Sequence, residues 1–340
     1  MNNSNLLKDK AILITGGTGS FGQKFVEWLL KFGSCKKIII FSRDEFKQHQ
    51  MRQRLLNYDK KLRFFLGDVR DLSRLQRAFN GVDIVVHAAA LKQVPALEYN
   101  PLEAIKTNIL GTQNVVDAAI DQKVLKALLV STDKAAYPAN LYGSTKLCAE
   151  KLFVSGGAYA PGVDRATKFS VVRYGNVIGS RGSIVETLLN NDKNSEVHIT
   201  DHEMTRFWID YDRAIELVIF ALNEMVSGEI FVPKIPSMKL VDLFDALVPH
   251  APRKTIGIRS GEKIHEILLT AEEAKHSVEV GRYFVILPEF PHWTAVKRYE
   301  KYLKKGKELK PKFCFTSHTN PDWITANDLK KIIKNNIGLI

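Results

Sequence analysis

Thr15-Gly16-Gly17-Thr18-Gly19-Ser20-Phe21-Gly22, directly behind the apolar run Ala11–Thr15, is the stretch on which the reading of this chain turns. Glycines at 16, 19 and 22 give a GxxGxxG spacing between a strand-like and a helix-like segment. Such a turn needs positive φ, a backbone that a pyrophosphate can approach closely, and free N–H groups at a helix start to meet the anion. Glycine triplets alone are weak evidence. Between a strand and a helix they read as a dinucleotide turn made by Gly16, Thr18, Gly19, Ser20, Phe21 and Gly22.

Outward from this turn, short runs rich in Ile, Val, Leu or Phe alternate with helical patterns. Strands are predicted at Ala11–Thr15, Lys37–Phe41, Leu62–Leu66, Asp83–His87, Ala127–Ser131 and Phe169–Tyr174, with helices at Phe21–Phe32, Asp71–Phe79, Pro101–Ile120 and Tyr142–Phe153. Alternation of this kind calls for an α/β fold, a Rossmann-type doubly wound parallel sheet with helices on both faces. Periodicity loosens after Gly179. Helices are predicted at Arg213–Glu224 and Leu240–Val248 and strands at Ile230–Val232 and Thr255–Ile258, punctuated by Pro233, Pro236, Pro249, Pro252, Pro288 and Pro291. The second half therefore reads as a smaller α/β substrate-binding lobe over the carboxyl ends of the parallel strands. The expected division is 1–179 for the nucleotide domain, with about 207–232 returning to it, and 180–340 mainly for the lobe and a charged tail.

At 340 residues, 45% hydrophobic and 25% charged, the chain can bury a full core without covalent staples. Cys35, Cys148 and Cys314 are odd in number, far apart and without a CxxC, which fits neither a disulfide framework nor a zinc site and points to a reducing cytoplasm. No metal is expected. Met1–Lys10 is polar and is no signal peptide, and no apolar run is long enough for a membrane span. The net charge of +12 is dispersed, densest from Lys304 to Lys312, so it argues for a solvated face and an anionic small ligand over nucleic acid.

The end of the second strand reads Phe41-Ser42-Arg43-Asp44. A site for NAD usually places a carboxylate here on the ribose; Ser42 and Arg43 suit a 2′-phosphate instead, since a guanidinium matches phosphate oxygens, so NADP is favoured. Asp44 also suits the start of the next helix. Asp68 and Val69, after the third strand, are placed to meet adenine, and Ala88, Ala89 and Ala90 are small enough to let the cofactor pass; helix capping and tight packing would account for both segments equally.

Ser131-Thr132-Asp133-Lys134, then Tyr142 and Lys146, carry the chemistry. Tyr142 and Lys146, at i and i+4, share one helix face. A neighbouring ammonium favours phenolate, which would make Tyr142 a base for a sugar hydroxyl. Asp133 and Lys134 add an acid and a base in adjacent positions, unless they form only a surface ion pair.

These pieces resemble the extended short-chain dehydrogenase/reductase family, and within it the inverting UDP-N-acetylglucosamine 4,6-dehydratases that begin bacterial pseudaminic acid synthesis. The resemblance runs over GGTGSFG (16–22), SRDE (42–45), GDVRD (67–71), HAAALK (87–92), EYNP (98–101), STDKA (131–135), LYGSTK (141–146), RYGNV (173–177), SRGS (180–183), MTRFW (204–208), FVPKIPSMK (231–239) and IRSGEK (258–263). It implies that Tyr142, tuned by Lys146, takes the carbon 4 hydroxyl proton while Thr132 hydrogen-bonds that hydroxyl. Lys134, standing where dTDP-glucose dehydratases carry Glu, would titrate near neutrality and take the carbon 5 proton, and Asp133 would protonate the leaving carbon 6 hydroxyl.

The same resemblance implies that Tyr142, Lys146 and Lys92 touch the cofactor. It puts Lys92, Asn176, Arg181, Arg206, Arg259 and Glu262 around UDP-N-acetylglucosamine, with Arg206 and Arg259 as forked donors to the diphosphate. A homo-oligomer, dimer or hexamer, is implied as well. Gln93 stands where pseudaminic-pathway members carry His and capsule-pathway members Gln. The readings that compete are a UDP-hexose 4-epimerase, which needs Tyr142 and Lys146 but not the Asp133–Lys134 pair, and a nucleotide-sugar-binding module without turnover.

Overall fold

A computed structural model describes residues 4–159, 167–190, 195–289 and 296–337; Pro291 lies outside the described residues. Six parallel strands, β1 (Ala11–Thr15), β2 (Lys37–Ser42), β3 (Leu62–Leu66), β4 (Ile84–His87), β5 (Lys126–Thr132) and β6 (Lys168–Tyr174), lie in the order β3-β2-β1-β4-β5-β6. This is the doubly wound α/β arrangement expected. Winding reverses between β1 and β4, so a crevice opens outside their carboxyl ends. Every residue of β1 and of β4 is buried, as β-branched runs covered on both faces should be.

Among the described residues the sheet grows to ten strands. Ile230–Pro233 continues it parallel to β6, and Tyr283–Ile286, Ser277–Val280 and Lys307–Glu308 add an antiparallel edge. Ile12, Ile14, Phe25, Leu29, Ile40, Val85, Val116, Leu128, Phe153 and Phe169 belong to the main core. Each such side chain contributes about 1.5–3 kcal/mol on burial. A separate cluster of Ile178, Val185, Trp208, Met238, Leu243, Phe244 and Leu329 holds the smaller lobe. Among the described residues no helix is long and apolar enough to cross a membrane.

Two predicted elements differ. The helix expected over Pro101–Ile120 is α-helical at Pro101–Ala104 and Gly111–Asp121 but π-helical at Ile105–Leu110. The wide turn carries Asn108, whose side chain accepts from Leu91 N (2.8 Å) and donates to Leu91 O (2.9 Å) and Thr145 Oγ1 (3.0 Å). Single π turns of this kind gather at functional sites. The strand expected at Thr255–Ile258 is displaced to Arg253–Thr255, paired with Val197–Ile199. Gly257 takes φ +81°, which interrupts an extended run, and Ile256 and Ile258 stay exposed.

Candidate active site

Gly16 has φ +67°, and a Cβ there would lie 2.8 Å from Ala89 Cα, so the glycine turn and the Ala88–Ala89 segment touch backbone to backbone. At Gly22 a Cβ would come within 2.6 Å of Gly16 O, the close helix–strand packing such a turn requires. Helix Ser20–Phe32 starts at Gly19 with no side-chain cap, which leaves first-turn N–H groups for an anion. Thr18 is buried under the turn, while Gly19 is open to solvent. These features fit a dinucleotide pyrophosphate.

At the end of β2, Ser42 is buried and its Oγ accepts from Gln48 Nε2 at 3.2 Å. Arg43 is 53% exposed and stands 3.7 Å from Asp68. Asp68 also pairs with Arg70 at 2.8 Å; burial would raise its pKa, but the hydrogen bonds from Arg70 win and hold it low. Val69 is buried, packed where a Cβ on Gly111 would meet it at 2.8 Å. Ala88 N donates to Thr15 O at 3.2 Å and Ala89 N to Thr15 Oγ1 at 3.3 Å, while Ala90 is exposed.

β5 ends at Thr132, and Asp133–Ala135 forms a 3₁₀ turn. Tyr142 and Lys146 lie on helix Leu141–Tyr159, which packs against that turn so closely that a Cβ on Gly143 would collide with Lys134 O. Asp133 is fully buried. Its Oδ1 accepts from Thr132 Oγ1 (2.9 Å) and Lys134 Nζ (3.0 Å), and its Oδ2 has no partner. Burial raises its pKa more than Lys134 lowers it.

The two lysines depart from expectation. Lys134 was expected to titrate near neutrality. Burial does press its pKa down, but Asp133 and Glu266, the latter at 3.4 Å, outweigh that and raise it above the ordinary lysine value. Tyr142 was expected to be tuned down by Lys146. Burial instead pushes it up to about 12, and the cation that opposes the rise is Lys134. Lys146, brought down to about 8 by burial, donates to Val130 O at 2.9 Å. The i, i+4 spacing is met, yet a backbone carbonyl holds the ammonium.

Thr132, Asp133, Lys134, Tyr142 and Asn176 come together, Asn176 Oδ1 lying 3.5 Å from Lys134 Nζ. Arg206 adjoins them, but its guanidinium is turned inward: Nη1 donates to Thr205 O (2.7 Å) and Ile264 O (3.0 Å), and Nε stands 3.8 Å from Glu266. It offers no free fork. Arg181 is exposed beside the glycine turn, its N–H donating to Ser20 Oγ at 3.0 Å. Lys92 is exposed on the loop after β4. Arg259 is exposed too, and Glu262 has a buried Oε2 without a partner; their loop is tied to the head of the catalytic helix by Asn140 Nδ2, which donates to Gly261 O at 2.8 Å.

Three participants escaped the sequence reading. Glu266, 4% exposed at its side chain, contacts Lys134, Arg206 and, at 3.6 Å, Lys263. Lys263 donates to Ala136 O at 2.7 Å. Asn108 links the Leu91–Lys92 loop to the catalytic helix. The signal for Glu266 was a carboxylate set immediately before the apolar Ile267–Leu269.

Residues 12–288 match the family described as "Polysaccharide biosynthesis protein", and the chain belongs to that family. A Campylobacter jejuni protein named UDP-N-acetylglucosamine 4,6-dehydratase (inverting) is 45% identical over 98% of this chain and 100% of its own length. A Rickettsia akari protein named UDP-glucose 4-epimerase is 40% identical over 96% of this chain and 95% of its own. Among solved structures, Pen from Bacillus thuringiensis superposes with TM-score 0.87 at 34% identity, covering 98% of this chain and 99% of that one.

Proposed function

We propose that this protein is an inverting UDP-N-acetylglucosamine 4,6-dehydratase acting with NADP. The observation that carries the reading is the buried Asp133, ion-paired to Lys134 and set beside Tyr142. The similarity to the Campylobacter jejuni protein of that name supports it. An epimerase needs the tyrosine and no such pair.

NADP, held at the glycine turn, would supply reversible hydride storage between carbon 4 and carbon 6. Gly16–Gly22 would hold its pyrophosphate, Arg43 with Ser42 its 2′-phosphate, and Asp68, Val69 and Ala88–Ala90 its adenine and path. Tyr142 takes the carbon 4 hydroxyl proton while Thr132 holds that oxygen, leaving a ketone that acidifies the carbon 5 proton. Asp133 and Lys134 share one proton across 3.0 Å. Its passage from Nζ to Oδ1 turns the ion pair into an amine and a carboxylic acid, the two groups elimination requires. The amine takes the carbon 5 proton, the electron pair left behind forms the carbon 5–carbon 6 double bond, and the carbon 6–oxygen bond breaks. The departing oxygen takes the Asp133 proton and leaves as water. Hydride return to carbon 6 would leave an enolate; a proton given by water to carbon 5 on the opposite face, the hydroxide so formed taking the proton held by Tyr142, gives the inverted 4-keto-6-deoxy-L-arabino sugar.

Lys92, Asn176, Arg181, Arg259 and Glu262 are proposed to surround the UDP-sugar, with Arg206 behind them, its guanidinium engaged by Thr205 O, Ile264 O and Glu266. The proposed division assigns 1–179 and about 207–232 to the nucleotide domain, joined by the edge strands 277–286 and 307–308, with the rest of 180–340 as the substrate lobe. The proposed setting is the cytoplasm, as a homo-oligomer feeding pseudaminic acid or another surface glycan. The Rickettsia akari relative keeps a second reading, UDP-hexose 4-epimerase, in play. Asp133→Asn separates the two. A dehydratase should lose elimination of water by about 10²-fold or more, whereas an epimerase should keep its rate.

A further inference from the structure

We propose that Asn140 is a positioning residue that, together with Lys263, couples nucleoside diphosphate binding at the Arg259 loop to the catalytic turn and helix. The inference rests on the nucleotide-sugar reading for its ligand and on geometry for the rest. Asn140 uses both ends of its carboxamide. Oδ1 accepts from Gly143 N at 2.8 Å, which caps the helix bearing Tyr142 and Lys146, and Nδ2 donates to Gly261 O at 2.8 Å. An N–H on one side and a carbonyl on the other allow a single orientation of the amide. Asp would make the cap alone equally well; the added donor to the loop needs the amide.

The loop that Asn140 grips turns sharply. Glu262 N donates to Arg259 O at 3.1 Å, Gly261 takes φ +79°, and a Cβ on Gly261 would lie 3.0 Å from Asn140 Cβ. Arg259 is exposed on this turn. Two residues after Gly261, Lys263 is 15% exposed at its side chain, and its Nζ donates to Ala136 O at 2.7 Å. Ala136 closes the catalytic turn, its N–H donating to Asp133 O at 3.1 Å. One bond thus holds the helix head and the other the exit of the turn, and these two meet where Gly143 packs against Lys134 O. Loop, turn and helix head form one closed unit. A diphosphate that meets Arg259 stiffens the unit as a whole, so binding energy from the nucleotide is used to orient Asp133, Lys134 and Tyr142.

Asn140→Asp keeps the cap, since a carboxylate suits a helix N-terminus, and removes the donor to Gly261 O. Lys263→Met keeps the apolar stem and removes the other tie. Hydrogen exchange followed by mass spectrometry, with UDP alone as the probe, reads the coupling without turnover. In wild type UDP should slow exchange over 256–264 and over 133–143 together. In Asn140→Asp the slowing over 133–143 should fall by about 3–10-fold, the worth of one hydrogen bond, while that over 256–264 stays. Adding Lys263→Met should deepen the loss, and Lys263→Arg, which keeps a donor, should behave as wild type. Slowing over 133–143 that is the same in wild type and in Asn140→Asp overturns the proposal, and so does UDP that slows neither segment in wild type.

With NADP and UDP-N-acetylglucosamine, Asn140→Asp should lower kcat by about 3–10-fold and leave KM within about 2-fold. A raised KM with kcat unchanged would confine Asn140 to the grip on the nucleotide and overturn the coupling. A wild type inert toward UDP-N-acetylglucosamine would sink the dehydratase reading, and the exchange profile with UDP would still decide the part played by Asn140.

Discussion

Arg173 grips Glu150 through Nε (3.0 Å) and Nη2 (2.6 Å), and both side chains are almost wholly buried. The same guanidinium reaches Glu273 at 2.8 Å, and Ser131 Oγ donates to Glu150 Oε1 at 2.6 Å. One cation thus ties β6, the catalytic helix, the end of β5 and the segment that follows Ile267–Leu269. Arg173→Met leaves two carboxylates buried without their partner. Unfolding by urea should show a loss of about 3–5 kcal/mol. A loss under about 1 kcal/mol would mean that the clamp is not structural.

Asp133→Asn tests the division of labour. Asn176, Tyr142 and Thr132 stay in place, so reduction of the nicotinamide by UDP-N-acetylglucosamine should survive while water loss falls by about 10²–10⁴-fold. Equal loss of both steps would contradict an acid role confined to carbon 6.

Arg43 is exposed at the end of β2, 3.7 Å from Asp68, and is placed to meet a phosphate. Arg43→Ala should weaken NADP by about 10–100-fold, the worth of a charge-assisted contact, and leave NAD unchanged. Fluorescence titration with both cofactors reads it. Equal weakening of both would place the arginine elsewhere on the dinucleotide.

His87 gives the protein a built-in acid sensitivity. It is buried between Thr15 Oγ1 (2.6 Å) and Thr112 Oγ1 (3.1 Å), and burial brings its pKa from 6.5 to about 3. The folded protein keeps it neutral where the unfolded chain takes a proton, so its contribution is complete above 6.5 and is lost as pH falls toward 3. At pH 5 the loss from this residue should be about 2 kcal/mol. In His87→Gln, urea midpoints should fall less between pH 7 and pH 5 than in wild type. An unchanged pH slope would remove His87 from the account.

The parallel strands were legible because each is an apolar run closed by a small or charged residue, as Ala11–Thr15 is closed by Gly16. The Thr132–Asp133–Lys134 and Tyr142–Lys146 pieces were legible as local spacings. What spacing does not carry is the field at each group. Lys134 is raised, and not lowered, because Asp133 is buried against it and Glu266 arrives from a distant segment. Arg206 turns inward because Thr205 O and Ile264 O fill its donors. The π turn at Ile105–Leu110 is a tertiary choice, made where Asn108 finds Leu91 and Thr145. Ile256 and Ile258 read as strand residues, but Gly257 breaks the run with its positive φ.

Proton NMR of UDP-N-acetylglucosamine with the purified protein and NADP in heavy water tests the central claim most directly. The account predicts a new carbon 6 methyl signal, deuterium at carbon 5 and couplings of the inverted ring, with the cofactor unchanged at the end. A galacto-configured product with carbon 6 still hydroxylated would contradict it and establish the epimerase.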